Sequence, residues 1–149
     1  ANFVLLSVNA IFAVVSGVLL IQTSIFISSI FQAAKILRKK AKKVLMDRIA
    51  MLKEMLKEDE KDPFLQHALA LELIKTGNDK EARKLFETLL DHDPGYIGSY
   101  YHLGKLLERE GLPQKAIHIY QKGMEMSKAV NDIHSYNELK AAYEDAEDQ

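Results

Sequence analysis

The chain has 149 residues, a formal net charge of −1 and no Cys, which excludes a disulfide framework, a thiolate metal site and a cysteine nucleophile. Its charge is unevenly distributed. Residues 1–34 carry no charged side chain, and residues 35–43 carry six basic groups without an acid. All 21 acidic residues lie from Asp47 onward, against 14 basic ones, so this last part has a net charge of about −7.

Residues 3–31 form an uncharged, mostly apolar stretch that predicts a transmembrane helix. The hydrocarbon core of a bilayer needs about 20 apolar residues in helical conformation. The alternative is a buried helix of a soluble domain, but a small domain has little room for an uncharged helix of this length. A cleaved signal peptide is disfavoured, because no basic segment precedes the stretch and it is too long.

Small and polar residues within the predicted span suggest that it packs against another membrane helix, either a second copy or a larger partner. Small residues four positions apart allow close packing in lipid, and amide side chains hydrogen-bond between helices. Alternatively, the hydroxyl groups bond to their own backbone and the span stands alone. The candidate packing residues are Asn9, Ala13, Gly17, Gln22, Ser24 and Ser28.

The basic run 35–43 follows the predicted span directly and predicts its orientation. Lys and Arg beside a span mark the cytoplasmic side, so we expect a single-pass membrane protein whose C-terminal domain is cytoplasmic. The run is also a candidate for binding anionic lipid headgroups. The simpler interpretation is a flank that only stops translocation. Nucleic acid is disfavoured as a partner, because the neighbouring domain is acidic.

Residues 35–60 have apolar side chains at helical spacing, with no Pro or Gly between Gly17 and Pro63. The last part of this helix is expected to cover the end of the domain that follows. Met46 resembles a start position. A second interpretation is therefore an engineered fusion of a membrane helix to a free-standing protein beginning at Met46, with that protein acting only as a structural scaffold.

A 34-residue period organises the acidic part of the chain. The pairs at this spacing are Leu69/Leu103, Ala70/Gly104, Leu73/Leu107, Gly77/Gly111, Ala82/Ala116 and Phe86/Tyr120. Such a period is typical of stacked helix–turn–helix units. The small residues allow two helices to approach closely, and the glycines suit a turn that needs a positive φ.

These positions resemble the tetratricopeptide repeat (TPR). The first repeat reads Gln66, Leu69, Ala70, Leu73, Gly77, Ala82, Phe86, Leu89 and Pro94; the second reads Tyr100, Leu103, Gly104, Leu107, Gly111, Ala116, Tyr120 and Gly123. Gln66 replaces an aromatic residue, and Lys128 stands where the second repeat would close with Pro. The resemblance implies an all-α array that serves as a scaffold, whose ligand depends on its surface.

We therefore expect an all-α chain: an N-terminal transmembrane helix, then a short TPR array with capping helices. The expected domains are a transmembrane helix at 1–34, a basic helical linker at 35–46 and a TPR domain at 47–149. The domain contains repeats at about 63–96 and 97–130 and a capping helix at about 133–146. Within the repeats, helices are predicted at 63–75, 79–91, 96–109 and 113–127, with Asn78 or Asp79 and Asn131 or Asp132 as N-caps.

The resemblance also implies a binding groove lined by the first helix of each repeat. The mapped residues are Phe64, His67, Leu71, Ile74, Tyr101, Lys105 and Glu108. An apolar strip with an aromatic rim suits an extended peptide or a helix of a protein partner. The Lys, Asn and Arg clamp of chaperone-binding TPR domains does not match. Alternatively, some of these side chains pack against the chain's own terminal helices.

No motif for chemistry stands out. The five His residues are scattered, no glycine-rich phosphate loop is present, and the Asp91-His92-Asp93 run is best explained as a polar turn. The sequence therefore predicts no enzyme activity, no cofactor and no metal. Its predicted function is protein–protein interaction at a membrane, as an adaptor or as an accessory subunit of a membrane complex.

Overall fold

The computed structural model describes the backbone of residues 2–148 and the side chains of residues 26–148. The secondary structure of this part consists of six helices: α1 (Asn2–Glu58), α2 (Pro63–Lys75), α3 (Asp79–His92), α4 (Gly98–Arg109), α5 (Pro113–Ala129) and α6 (Ile133–Glu147). The contacts divide the chain into two units, Ala1–Val44 and Leu45–Gln149, with the division inside α1.

In the first unit, all described side chains up to Lys43 are exposed. They include large apolar ones, Phe26, Ile27, Ile30, Phe31, Ile36 and Leu37, and the six basic ones between Lys35 and Lys43. Within the part of the chain that the structure describes, no helix is both long enough and apolar enough to cross a membrane. Most of the predicted span lies outside the described side chains. Of its candidate packing residues, Ser28 is described and exposed; Asn9, Ala13, Gly17, Gln22 and Ser24 lie outside.

In the second unit, the helices pack in the order expected for stacked repeats. Helix α2 packs on α3, α3 on α4, α4 on α5 and α6, and α5 on α6. One core runs through all of them. Its fully buried large side chains include Leu73, Phe86, Leu103, Leu106, Tyr120 and Leu139. The all-α repeat architecture predicted from the 34-residue period is confirmed.

Three helices of this unit end in the same turn. The residue after the helix cap has a positive φ at Gly77 (78°), Gly111 (73°) and Asn131 (59°). At the first end, Asn78 N–H donates to the Leu73 carbonyl at 2.9 Å and Gly77 N–H to the Ile74 carbonyl at 3.0 Å. This is the Schellman pattern, which satisfies the last carbonyl groups of a helix. The prediction that Gly77 and Gly111 occupy such turns is confirmed.

The small residues of the repeats lie where two helices approach most closely. Ala70, Ala82 and Ala116 are 0% exposed. A Cβ atom added to Gly104 would stand 2.1 Å from Cε1 of Tyr120. The ring of Tyr120 therefore occupies the space that a methyl group would need, and only glycine fits at position 104.

The two repeats close differently. Helix α3 ends at His92, two residues before Pro94, whereas α5 continues past Lys128 to Ala129. Proline fixes φ and cannot donate a hydrogen bond, so it stops the first repeat early. Gln66, in place of the aromatic residue, is 4% exposed and donates from Nε2 to the Glu60 carbonyl at 2.6 Å.

The part of α1 within the second unit covers the first repeat, as predicted for this segment. Ile49 and Leu52 are each 6% exposed and belong to the common core. Arg48 pairs with Glu72 of α2 at 3.0 Å, and Lys53 pairs with Glu81 of α3 at 2.7 Å. The end of the array is thereby closed by apolar burial and two ion pairs.

Candidate interaction surface

The predicted groove residues of α2 differ widely in exposure. Phe64 is 66% exposed, whereas Leu71 and Ile74 are partly buried and pack against the core. His67 is also partly buried. Phe64 is therefore the side chain of this helix that offers apolar surface to a partner, while Leu71 and Ile74 also support the fold.

An aromatic row connects the two repeats. The ring of His67 lies 5.0 Å from that of Tyr96 and 5.7 Å from that of His102, centroid to centroid. Tyr101 meets His102 edge-on at 5.6 Å. We call these four residues the aromatic row. Two of them, His67 and Tyr101, were predicted as groove residues. The other two were not, because their side chains join the surface through contacts between repeats.

The orientation of His67 is fixed from both sides. Its Nδ1 atom lies 2.8 Å from Oγ of Ser99, which is 0% exposed. Its ring also meets Phe86 edge-on at 5.5 Å. The imidazole therefore has one polar contact and otherwise packs among rings, so it belongs to the joint between the repeats as well as to their surface.

Lys105 and Glu108, both predicted for the groove, are paired with each other. Lys105 Nζ lies 3.0 Å from Glu108 Oε2, and the hydroxyl of Tyr120 donates to Glu108 Oε1 at 2.6 Å. The side chains of Lys105 and Glu108 are 34% and 13% exposed. This arrangement neutralises the groove's charges locally and links the surface to a core ring.

Burial controls the charge state of the aromatic row. Desolvation, aided by the neighbouring His102, lowers the pKa of His67 from 6.5 to about 4. Desolvation also lowers the pKa of His102, partly offset by Glu138 of α6. Both imidazoles are therefore neutral at pH 7. The row is an aromatic surface with few charges, which suits contact with apolar or aromatic side chains of a protein.

The described part of the chain contains no cluster of side chains that would form a metal site. Between residues 26 and 148, no three side chains of metal-binding type come together. The Asp91-His92-Asp93 run lies at the end of α3, where Asp93 Oδ1 accepts from the Gly95 N–H at 3.2 Å. That bond is typical of a polar turn.

Comparison with solved structures identifies similar folds. The TPR domain protein of Salinibacter ruber, in its solution structure, is 43% identical over 60% of this chain and 90% of that chain, with a TM-score of 0.57. Its crystal structure gives 43% identity, 58% and 96% coverage, and a TM-score of 0.56. The TPR2B domain of yeast Sti1, in complex with pHsp70, gives 19% identity, 73% and 87% coverage, and a TM-score of 0.67.

No family model and no curated protein matches the chain. The Salinibacter protein, however, combines 43% identity with coverage of 90% of its own length. The small residues, turn glycines and aromatic positions that carry the 34-residue period occupy the positions expected for a TPR array. The chain therefore belongs to the tetratricopeptide repeat family.

Proposed function

We propose that this chain is a non-enzymatic protein–protein interaction module, held at a membrane by its N-terminal segment and binding a partner through the aromatic row. The observation that carries the proposal is the row itself, a half-buried and largely uncharged set of rings that spans two repeats. Tyr101 of the row and Phe64, on the same helix as His67, offer side-chain surface that the fold does not fully cover. Solved TPR structures include the TPR2B domain of yeast Sti1 in complex with pHsp70.

The partner is proposed to be an extended peptide or a helix that places apolar or aromatic side chains on the row. Tyr101 is the best single test, because its ring contacts His102 and it lies outside the fully buried core. Tyr101→Ala removes the ring, whereas Tyr101→Phe retains it. Affinity purification from mild detergent should recover the partner with the wild type and Tyr101→Phe and lose it with Tyr101→Ala.

Helicity decides how that result is interpreted. If Tyr101→Ala retains its circular dichroism spectrum and loses the partner, the row is the binding site. If it loses helicity as well, Tyr101 is a core residue and the assignment fails. Leu71→Glu is a second groove variant, but Leu71 packs partly against the core, so it requires the same check.

Membrane attachment is part of the proposal. It is supported by the uncharged stretch 3–31 and by the six basic residues that follow it. We propose a single-pass anchor, packed through its small and polar residues against another membrane helix, with the TPR domain on the cytoplasmic side and the run 35–43 near anionic headgroups.

Because the chain has no Cys, a single introduced cysteine can report on which side of the membrane a residue lies. Lys140→Cys should react with a membrane-impermeant maleimide only after cells are opened, and Asn2→Cys should react in intact cells. The reverse pattern would place the TPR domain outside the cytoplasm. Release of the unmodified chain by a carbonate wash would show that it is not an integral membrane protein.

A second candidate function is that of a structural scaffold, in which residues 1–45 and 46–149 come from different proteins. The unbroken course of α1 past Met46 favours it, because two proteins can be fused through a shared helix. The purification above separates the two candidates when 1–149 is compared with 46–149. A partner recovered with both supports the adaptor. A self-oligomer of 1–149 beside a monomeric 46–149 without a partner supports the scaffold.

A further inference from the structure

A second concave surface lies between α3 and α5, away from the aromatic row. It is a cavity of about 370 Å³ whose lining includes Leu103 and Leu107 of α4 and Ile119 of α5. A smaller cavity of about 100 Å³ shares Leu103 and Ile119 and adds Leu90 of α3. We call this surface the α3–α5 groove. None of its lining residues belongs to the aromatic row, so it is independent of the function proposed above.

The two walls of the α3–α5 groove have opposite charge. The α3 wall carries Glu87 and Asp91, one helical turn apart, and the α5 wall carries Lys115 and Lys122, two turns apart. All four side chains are exposed. Between them lie Leu90 and Ile119, which are partly exposed, above the buried side chains of Leu103 and Leu107. A narrow apolar channel, with Gln114 and His118 on its α5 side, therefore separates an acidic edge from a basic edge.

These edge charges are largely available to a ligand. Glu87 is 46% exposed and lies 3.4 Å from the partly buried Arg83, so its carboxylate is only partly occupied by this pair. Within residues 26–148, Asp91, Lys115 and Lys122 form no ion pair. Charge complementarity therefore selects the occupant. An apolar ridge fits the channel, with cations facing α3 and anions facing α5.

We propose that the α3–α5 groove binds an amphipathic helix of a partner protein, whose apolar ridge is flanked by Lys or Arg on one edge and by Asp or Glu on the other. A helix fits better than an extended strand, because its i, i+3, i+4 and i+7 side chains form one continuous ridge. Such a site would let the domain hold two partners at once, one on each surface.

The test uses the full chain in a zwitterionic detergent and three fluorescein-labelled helical peptides of about four turns. All three share a leucine ridge. One has a Lys edge and a Glu edge, the second has Lys on both edges, and the third has Glu on both. Fluorescence anisotropy should show the mixed-edge peptide binding about tenfold more tightly than either single-charge peptide, because each of those meets one wall of like charge.

Charge reversal on α5 supplies the decisive comparison. The variant Lys115→Glu/Lys122→Glu makes both walls acidic, and the Lys-edged peptide should then become the tightest of the three. Lys128→Glu, on the same helix but outside the groove, is the matched control and should retain the wild-type preference. Because all three substituted lysines are exposed, circular dichroism should be unchanged.

Two results would overturn the proposal. One is equal binding of the three peptides, or a preference that does not follow the charge reversal. The other is self-association of the wild type that the double variant abolishes, which would assign the groove to a second copy of the chain. The run 35–43 is unchanged in all variants, so binding of peptides to it cannot produce the switch.

Discussion

The guanidinium group of Arg48 lies 3.0 Å from the carboxylate of Glu72, whose side chain is only 4% exposed. Lys75 approaches the same oxygen at 3.1 Å, while the second oxygen, Oε2, is buried without a hydrogen-bond partner. A buried carboxylate must be paired to remain charged at low cost. Arg48 thus joins the covering segment of α1 to the first repeat at a point where the fold depends on its charge.

Arg48→Ala should therefore destabilise the TPR domain more than loss of an ordinary surface pair. We expect a loss of about 1–2 kcal/mol, limited by the remaining contact with Lys75 and by the half-exposed position of Arg48. Urea unfolding followed by circular dichroism measures it. Lys57→Ala, which removes an exposed pair with Glu54, is the control and should cost less than about 0.5 kcal/mol. Equal losses in the two variants would contradict this role.

Gly104→Ala should cost about 1–3 kcal/mol or more, because the added methyl group would overlap the Tyr120 ring. Gly98→Ala in the same helix is the matched control, since its added Cβ would meet only His67 Cε1 at 3.9 Å. Thermal unfolding should show a clear drop for the first variant and almost none for the second. Tyr120→Leu should partly rescue Gly104→Ala in the double variant; strictly additive losses would exclude a direct clash.

The turn after α5 offers a stabilising substitution. Asn131 holds a φ of 59°, which glycine adopts at less cost than any residue with a side chain. Asn131→Gly should leave stability unchanged or raise it by up to about 0.5 kcal/mol, whereas Asn131→Ala should lower it by about 1 kcal/mol. Chemical denaturation of both variants checks whether Asn131→Gly is more stable than Asn131→Ala. An alanine variant that is the more stable of the two would refute the prediction.

Acid should weaken the joint between the repeats. The pKa of His67 is about 4 in the folded chain, whereas an imidazole in the unfolded chain has the usual pKa of 6.5. The unfolded chain therefore takes up the proton more readily. The contribution of His67 to the free energy of unfolding is complete above pH 6.5. As the pH falls from 6.5 towards 4, the free energy of unfolding should decrease by about 2–3 kcal/mol. The lowered pKa of His102 acts in the same direction.

Unfolding measured between pH 7 and pH 4.5 tests this dependence. His67→Gln should flatten the curve, because glutamine can still bond to Ser99 without titrating. His92→Gln, which removes an exposed imidazole outside the aromatic row, is the matched control. Because His102 still titrates, part of the slope should remain in His67→Gln. A slope as steep as that of the wild type would assign the acid sensitivity to groups other than His67.

Much of the array follows from local rules that act within a few residues. Gly77 and Gly111 were predictable as turns because few residues tolerate a positive φ. Asp132 was one of two cap candidates, and its Oδ1 accepts from the Ser135 N–H at 3.0 Å. Asn78 also holds a cap position, but its side chain makes no capping bond and instead donates to Thr76 Oγ1.

The surface was harder to predict, because its contacts join side chains far apart in the sequence. The 34-residue period places His67 and Tyr101 at equivalent positions, but it does not reveal that His67 turns towards Ser99 and Phe86. Nor does it reveal that Glu72 is buried beside Arg48. The contacts of His67 and Glu72 depend on which side chains of neighbouring helices pack against them. A single sequence carries little information on such contacts between helices.

The hydrogen bond from Tyr120 to Glu108 gives the chain a built-in optical probe. The chain has six Tyr and no Trp, so tyrosine emission is not masked by energy transfer to indole. A tyrosine hydroxyl bonded to a carboxylate emits weakly, and Tyr120 has such a bond at 2.6 Å. A ligand that draws Glu108 away should therefore brighten the unlabelled protein, so binding to this surface can be followed without attaching a dye.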